Sequence, residues 1–292
     1  MAIDLGQELL PIARPLIDRH LSSAKEWFPH TFVPWSRASD YHDKWDPETK
    51  LPEDVRAALL VNLLTEDNLP YYYRTISSNF GRDDAWGEWS RRWTAEEARH
   101  SIVIRDYLHV THAIDPWQLE RARMQQMSDG VVPEPETIID TLAYVAAQEL
   151  ATRISHRNTG QRIGDEAGAA VMSRVAMDEN LHHIFYRDLT TAGLEIDPGQ
   201  TVAAIDRQIT NFAMPGVGIE GFSQFTKLIA DADIYNTTIH WESIVKPLVF
   251  THWKIDQVES MDREGEEARE NLLTYCAKLE RISNKLKERK NN

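Results

Sequence analysis

Cysteine is almost absent from these 292 residues: Cys276 stands alone, which excludes an intrachain disulfide framework and any thiolate-rich metal site. Glycine and proline are also scarce, thirteen of each, and most fall in short punctuations such as PETKLPED, VVPEPE and EIDPGQ. No low-complexity linker divides the chain, so a single domain over residues 1–292 is expected. No run approaches the ~20 consecutive apolar residues of a membrane span. Basic residues are outnumbered, 32 against 46 acidic, and the net charge of −14 argues against a nucleic-acid footprint. The opening MAIDLGQELLPIARP lacks the basic-then-apolar layout of a secretory signal, so a reducing cytoplasm is the expected compartment. With 42% hydrophobic and 27% charged residues, the composition is that of a globular protein with a sizeable core.

Strand signals are weak and helical periodicity dominates. One face of 53–80 reads Leu59, Leu63, Glu66, Pro70, Tyr73, Ser77, and one of 82–110 reads Trp86, Trp89, Trp93, Glu97, His100, Ile104, Tyr107. Residues 135–160 give Ile138, Leu142, Val145, Glu149, Thr152, His156, and 165–192 give Met172, Val175, Glu179, His182, Tyr186, Leu189. Further helices are expected near 5–22, 116–128, 199–212, 220–231, 236–250 and 264–289. The fold class is all-α, a long four-helix bundle with flanking helices. Pro70 should kink the first core helix just after Glu66.

Each stripe is apolar except at its centre, and the exceptions repeat. Glu66 precedes Glu97-x-x-His100 by 31 positions, and Glu149 precedes Glu179-x-x-His182 by 30. Residues at i and i+3 share a helix face, so each helix pair presents two carboxylates and one imidazole to the bundle axis. This is the ligand pattern of di-iron and di-manganese carboxylate bundles. Four ionised carboxylates in an apolar interior would repel one another and lose hydration unless cations sat between them. Two divalent ions against four carboxylates and two neutral imidazoles give zero formal charge, and hard oxygen and imidazole donors favour iron or manganese. A single Glu-x-x-His would read as a solvated pair; two matched copies, each with a partner Glu, do not. The acids preceding each motif, Glu96 and Asp178, are expected to hold the ligand imidazoles in a crossed arrangement, Asp178 on His100 and Glu96 on His182, with Arg99 pairing one of them. His183, out of register with His100, should face the bundle exterior.

The blocks TEDNLPYYYRTIS, AWGEWSRRWTAEEARHS, QELATRISHRNTG and MDENLHHIFYRDL, and more loosely NFAMPG and THWKIDQVES, resemble the soluble acyl-acyl-carrier-protein desaturases of plastids and actinobacteria, with the actinobacterial branch nearest. The resemblance implies a ferritin-like enzyme with two iron ions per subunit, usually a homodimer, that removes two hydrogens from a carrier-bound acyl chain in fatty acid biosynthesis. Dioxygen is then the oxidant and ferredoxin the usual electron source. It assigns the metal ligands to Glu66, Glu97, His100, Glu149, Glu179 and His182, the six that periodicity selects. It places Thr152 beside the oxygen-binding face, links Trp27 through Asp178 to His100 as an electron entry, and points to Thr75, Ile76 and Ser78 as acyl-tunnel lining. The second motif departs from the plant pattern, with Leu181 where an arginine stands, so one side should lack an ion pair. Segment 109–137 matches poorly.

An acidic carrier needs a local cationic surface, for which Arg91, Arg92 and the tail residues Lys278, Arg281, Lys285, Lys287, Arg289 and Lys290 are candidates. Iron storage is the alternative from another class, but the chain carries ~100 residues beyond a bundle that already makes a domain. A di-iron oxidase or hydroxylase acting on another carrier-tethered substrate would use the same ligands.

Overall fold

The computed structural model describes residues 3–41, 44–49, 51–213, 219 and 221–291. They form helices and turns, with no strand among the described residues, so the all-α expectation holds. Two N-terminal helices, α1 (Leu5–Glu8) and α2 (Leu10–Ser23), lie where one was expected. The bundle follows: α3 (Glu53–Glu66), α4 (Leu69–Phe80), α5 (Asp84–Thr111), α6 (Pro116–Asp129), α7 (Ile138–Arg162) and α8 (Glu166–Ile196). Around it lie α9 (Pro198–Thr210), α10 (Phe222–Asp231), the short α11 (Thr237–Ile239) and α12 (Arg263–Asn291). Among the described residues no helix is long and apolar enough to cross a membrane. The NFAMPG stretch from 214 onward lies outside the described residues.

The expected kink after Glu66 is a full break. α3 stops at Glu66, and α4 restarts with Pro70 in its first turn, where a missing N–H costs no helical bond. The restart changes the helical phase, so α4 buries Tyr72, Ile76 and Phe80. Of the residues expected on that face, Pro70 is exposed and Tyr73 and Ser77 are only half-buried. Gly81, at φ +80°, then turns the chain toward α5.

α7 and α8 pack along their length, joined by three residues that include Gly164 at φ +68°. Asp165 caps α8 by accepting from the Gly168 N–H at 2.9 Å and ties it to α5 by accepting from the Tyr107 hydroxyl at 2.9 Å. α7 is buried on all sides from Ile139 to Thr152, more than a stripe. The outward face is covered by α9 and by the π-helical segment His240–Val245, which with a second, Pro247–His252, stands where a regular helix over 236–250 was expected. Pro247 cannot donate to a regular ladder, and the wider turn accommodates it.

Two apolar clusters flank the bundle centre. One gathers Trp86, Trp89, Trp93, Leu142, Val145, Phe185, Tyr186 and Leu189 with the C-terminal helices. The other gathers Trp27, Leu59, Leu63, Val103, Ile104, Tyr107, Met172 and Val175. The polar centres of the four stripes lie between them.

Candidate metal centre

α5 and α8 carry the two Glu-x-x-His motifs; α3 contributes Glu66 from its last residue and α7 contributes Glu149 from mid-helix. All six residues are at most 7% exposed. They form two groups whose donor atoms lie within 4.8 Å of one another: Glu66, Glu97, His100 and Glu179, then Glu97, Glu149, Glu179 and His182. Glu97 and Glu179 belong to both groups, so they occupy the middle, with one Glu and one His at each end. His100 Nδ1 lies 3.5, 3.3 and 3.4 Å from oxygens of Glu66, Glu97 and Glu179. His182 Nδ1 lies 2.7 Å from Glu97 Oε1 and 3.7 Å from Glu149 Oε2.

The atoms facing this centre lack partners. Glu97 Oε1, His100 Nδ1, Glu149 Oε2 and His182 Nδ1 are buried without a hydrogen bond, even where 2.7 Å separates two of them. Donors aimed at a common point and left unsatisfied are what a cation site requires, and the hard oxygen and imidazole set fits a divalent ion of the iron or manganese type. Glu149 is pushed well above the usual carboxylate range, by burial first and then by Glu179; Glu97 shifts upward for the same reasons. Glu179 moves the other way. Burial opposes its ionisation, but the close approach of Glu149, His100 and His156 holds it well below its ordinary value. Burial likewise disfavours charge on His100 and His182, yet the surrounding carboxylates raise both well above the usual imidazole value.

The outer contacts show the expected crossing. Asp178 Oδ2 is 3.5 Å from His100 Nε2 and accepts from Trp27 Nε1 at 2.7 Å; Glu96 Oε2 is 2.9 Å from His182 Nε2. Each imidazole therefore turns Nε2 to an acid and Nδ1 to the centre. Arg99 donates to Asp178 at 3.0 Å and sits over the Trp27 ring at 4.8 Å. Asp178 is held at about 2, its burial outweighed first by the hydrogen bond from His100. Thr152 Oγ1 donates to Glu179 Oε2 at 3.0 Å.

Three expectations need correction. The side lacking an arginine at Leu181 does not lack an ion pair, because Arg92, one turn before Glu96 on the same helix, pairs with it. Arg91, beside it, donates to the Arg82 carbonyl at 2.9 Å. His183 does not face the exterior: it is 3% exposed and its Nδ1 lies 2.8 Å from the Ala146 carbonyl, because α7 covers that side of α8. Ser78, expected in a tunnel, is exposed and donates to the Arg74 carbonyl at 2.8 Å; Thr75 is half-buried and only Ile76 is buried.

Four contacts had no separate signal. His20 of α2 lies 2.8 Å from Glu96 Oε2, the place that Trp27 takes on Asp178. Arg174 pairs with Asp178. Trp93 Nε1 donates to Glu149 Oε1 at 2.9 Å, and His156 Nε2 is 2.9 Å from Glu66 Oε1. Trp93 and His156 sit in their stripes, but position in a stripe does not tell a core aromatic from a ligand's partner.

Comparison with known proteins gives the same direction. The family model described as fatty acid desaturase matches residues 2–292. A Mycobacterium tuberculosis protein named as a candidate acyl-acyl-carrier-protein desaturase, DesA1, is 40% identical over 291 residues, covering 95% of this chain and 86% of that one. Stearoyl-acyl-carrier-protein 9-desaturase 6 of Arabidopsis thaliana, a chloroplastic protein, is 30% identical over 302 residues, 97% of this chain and 76% of its own. The X-ray structure of DesA2 from Mycobacterium tuberculosis superposes with a TM-score of 0.70 at 28% identity, covering 88% of this chain and 99% of that one. This chain therefore belongs to the fatty acid desaturase family, among the acyl-acyl-carrier-protein desaturases and nearest their actinobacterial branch.

Proposed function

We propose that this protein is an acyl-acyl-carrier-protein desaturase of fatty acid biosynthesis, inserting a double bond into a saturated, carrier-bound acyl chain with dioxygen as oxidant. Glu66, Glu97, His100, Glu149, Glu179 and His182 would hold two irons, for which manganese can substitute. When bound, such a pair supplies dioxygen activation and the oxidising strength that an unactivated methylene demands. The observation that carries the reading is the pair of overlapping donor groups sharing Glu97 and Glu179, with orphaned donor atoms turned inward.

The chain's own residues do the rest. The two apolar clusters around the carboxylates exclude water that would quench an oxidising site. Thr152 offers a hydroxyl proton at Glu179 Oε2. Asp178 and Glu96 fix the imidazoles in the orientation that leaves Nδ1 free. A cavity of about 1070 Å³ opens between α10, α11 and α12 and reaches inward to Val61 and Ser155. Ser155 adjoins His156 in sequence, and Val61 lies little more than one turn before Glu66, so this cavity is the entry we assign to the acyl chain. Its rim includes Lys287 and Lys290 from the cationic end of α12, where an acidic carrier protein would dock. On the other side, Lys25, Arg153, Arg157 and Arg174 line a surface hollow, and Arg174 lies 5.6 Å from the Trp27 ring centre. A ferredoxin-type donor of negative charge fits that face, with Trp27, Asp178 and His100 leading inward.

Iron analysis of the protein after anaerobic loading and desalting tests the ligand set. Two irons per chain are expected; a chain that retains none contradicts the proposal.

A further inference from the structure

The internal echo that repeats the six donors breaks at the contacts supporting the two end carboxylates. Glu149 Oε1 is held by the indole N–H of Trp93 at 2.9 Å, while its Oε2 faces His182. Glu66 Oε1 is held at 2.9 Å by His156 Nε2, while its Oε2 faces His100. Each end carboxylate is thus gripped on one oxygen by a nitrogen from the opposite half of the bundle and offers the other oxygen to the centre. The grips are unlike. Val175 stands in α8 where Trp93 stands in α5, four residues before the motif Glu, and Tyr73 stands seven residues after Glu66 where His156 stands after Glu149. Tyr73 lies in α4, beyond the break, and is only half-buried. His156 is 1% exposed, its Nε2 also comes within 3.6 Å of Glu179 Oε1, and its Nδ1 has no hydrogen-bond partner. Of the ring's two carboxylate contacts, the shorter is to Glu66, which belongs to the first donor group alone, and the longer is to Glu179, which both groups share.

We propose that His156 is a positioning residue for the metal position formed by Glu66, Glu97, His100 and Glu179, and that it makes this position separable from the one at Glu149 and His182. The inference rests on the proposed metal centre. Glu66 ends α3 beside a helix break, whereas the other three carboxylates sit inside helices, and the Nε2 hydrogen bond from α7 ties its side chain to the neighbouring helix. Its loss weakens one metal position about 10- to 100-fold, the range for partners of metal ligands, and spares the other.

Anaerobic titration of the metal-free protein with cobalt(II), followed by its ligand-field absorption and by metal analysis after desalting, tests this. Wild type is expected to take two ions. His156→Phe should keep one tight ion and bind the second more weakly by that factor, while His156→Gln, which retains an N–H, should restore much of it. In a Glu149→Ala background His156→Phe should weaken the ion that remains; in a Glu66→Ala background it should change nothing. Two ions bound with wild-type affinity by His156→Phe would overturn the inference while leaving the metal centre intact. Equal weakening in both backgrounds, with a lowered melting temperature of the metal-free protein, would also overturn it, as a general packing role. Wild type that binds no ion would instead remove the metal centre on which the inference stands.

Discussion

At the scale of single residues, the six candidate ligands divide by position. Glu97 and Glu179 belong to both donor groups, whereas Glu66 and Glu149 each belong to one. Substituting Glu97→Ala should therefore remove both metal ions, and Glu149→Ala should remove one, as read by metal analysis; equal losses would contradict the assignment of middle and end positions. Asp178→Asn keeps the size of the side chain but weakens its hold on His100 and Trp27, and should lower metal affinity about 10- to 100-fold in a competition titration with a chelator. These residues were legible from sequence because a carboxylate centred in an apolar stripe has no cheap explanation, and the same argument applied twice. His156 and His20 were not. A buried histidine on a helix face is equally consistent with packing, and only the fold shows that one lies against Glu66 and the other against Glu96.

At the scale of helices, periodicity located the four core segments but missed two features that depend on neighbours. The break at Asp67 and Asn68 shifts the buried face of α4, and a stripe drawn through Pro70 carries the wrong residues beyond it. α7 is buried all round because C-terminal elements cover it, a contact between distant segments that no local pattern records. Leu142, fully buried on α7, should cost about 2–5 kcal/mol when truncated to alanine, measurable by urea unfolding. The π-helical turns carry a pH dependence. Burial holds His240 at about 4, below the ordinary imidazole value of ~6.5. The unfolded chain therefore takes up this proton before the folded one, so its contribution is complete above ~6.5 and is lost as pH falls toward the folded value. The penalty approaches about 3 kcal/mol by about pH 4. Comparing urea midpoints at about pH 7 and about pH 4.5, His240→Phe should show a smaller drop than wild type; an unchanged drop would place the acid sensitivity elsewhere, His183 being held at about 4 by the same burial.

At the scale of the whole molecule, the net charge of −14 makes any acidic partner depend on local cationic surfaces. Lys287 and Lys290 pair with Glu242 and Asp233 at the cavity rim. Reversing both to Glu should raise KM for an acyl carrier substrate about tenfold with kcat little changed, and the wild-type KM should rise with salt. α6 leaves Trp117, Met124 and Met127 exposed, with Val131 just beyond it. We propose this apolar strip as a contact between two copies of the chain, and Met124→Glu should then shift a dimer toward monomer in light scattering. The central claim is chemical. Its most direct measurement is the intact mass of a length series of saturated acyl chains on acyl carrier protein, after incubation with iron-loaded protein, dioxygen, ferredoxin, its reductase and NADPH. Loss of two hydrogens from at least one chain, abolished by Glu97→Ala, is expected of a desaturase; gain of one oxygen, or no change in any chain with two irons confirmed, would contradict that activity.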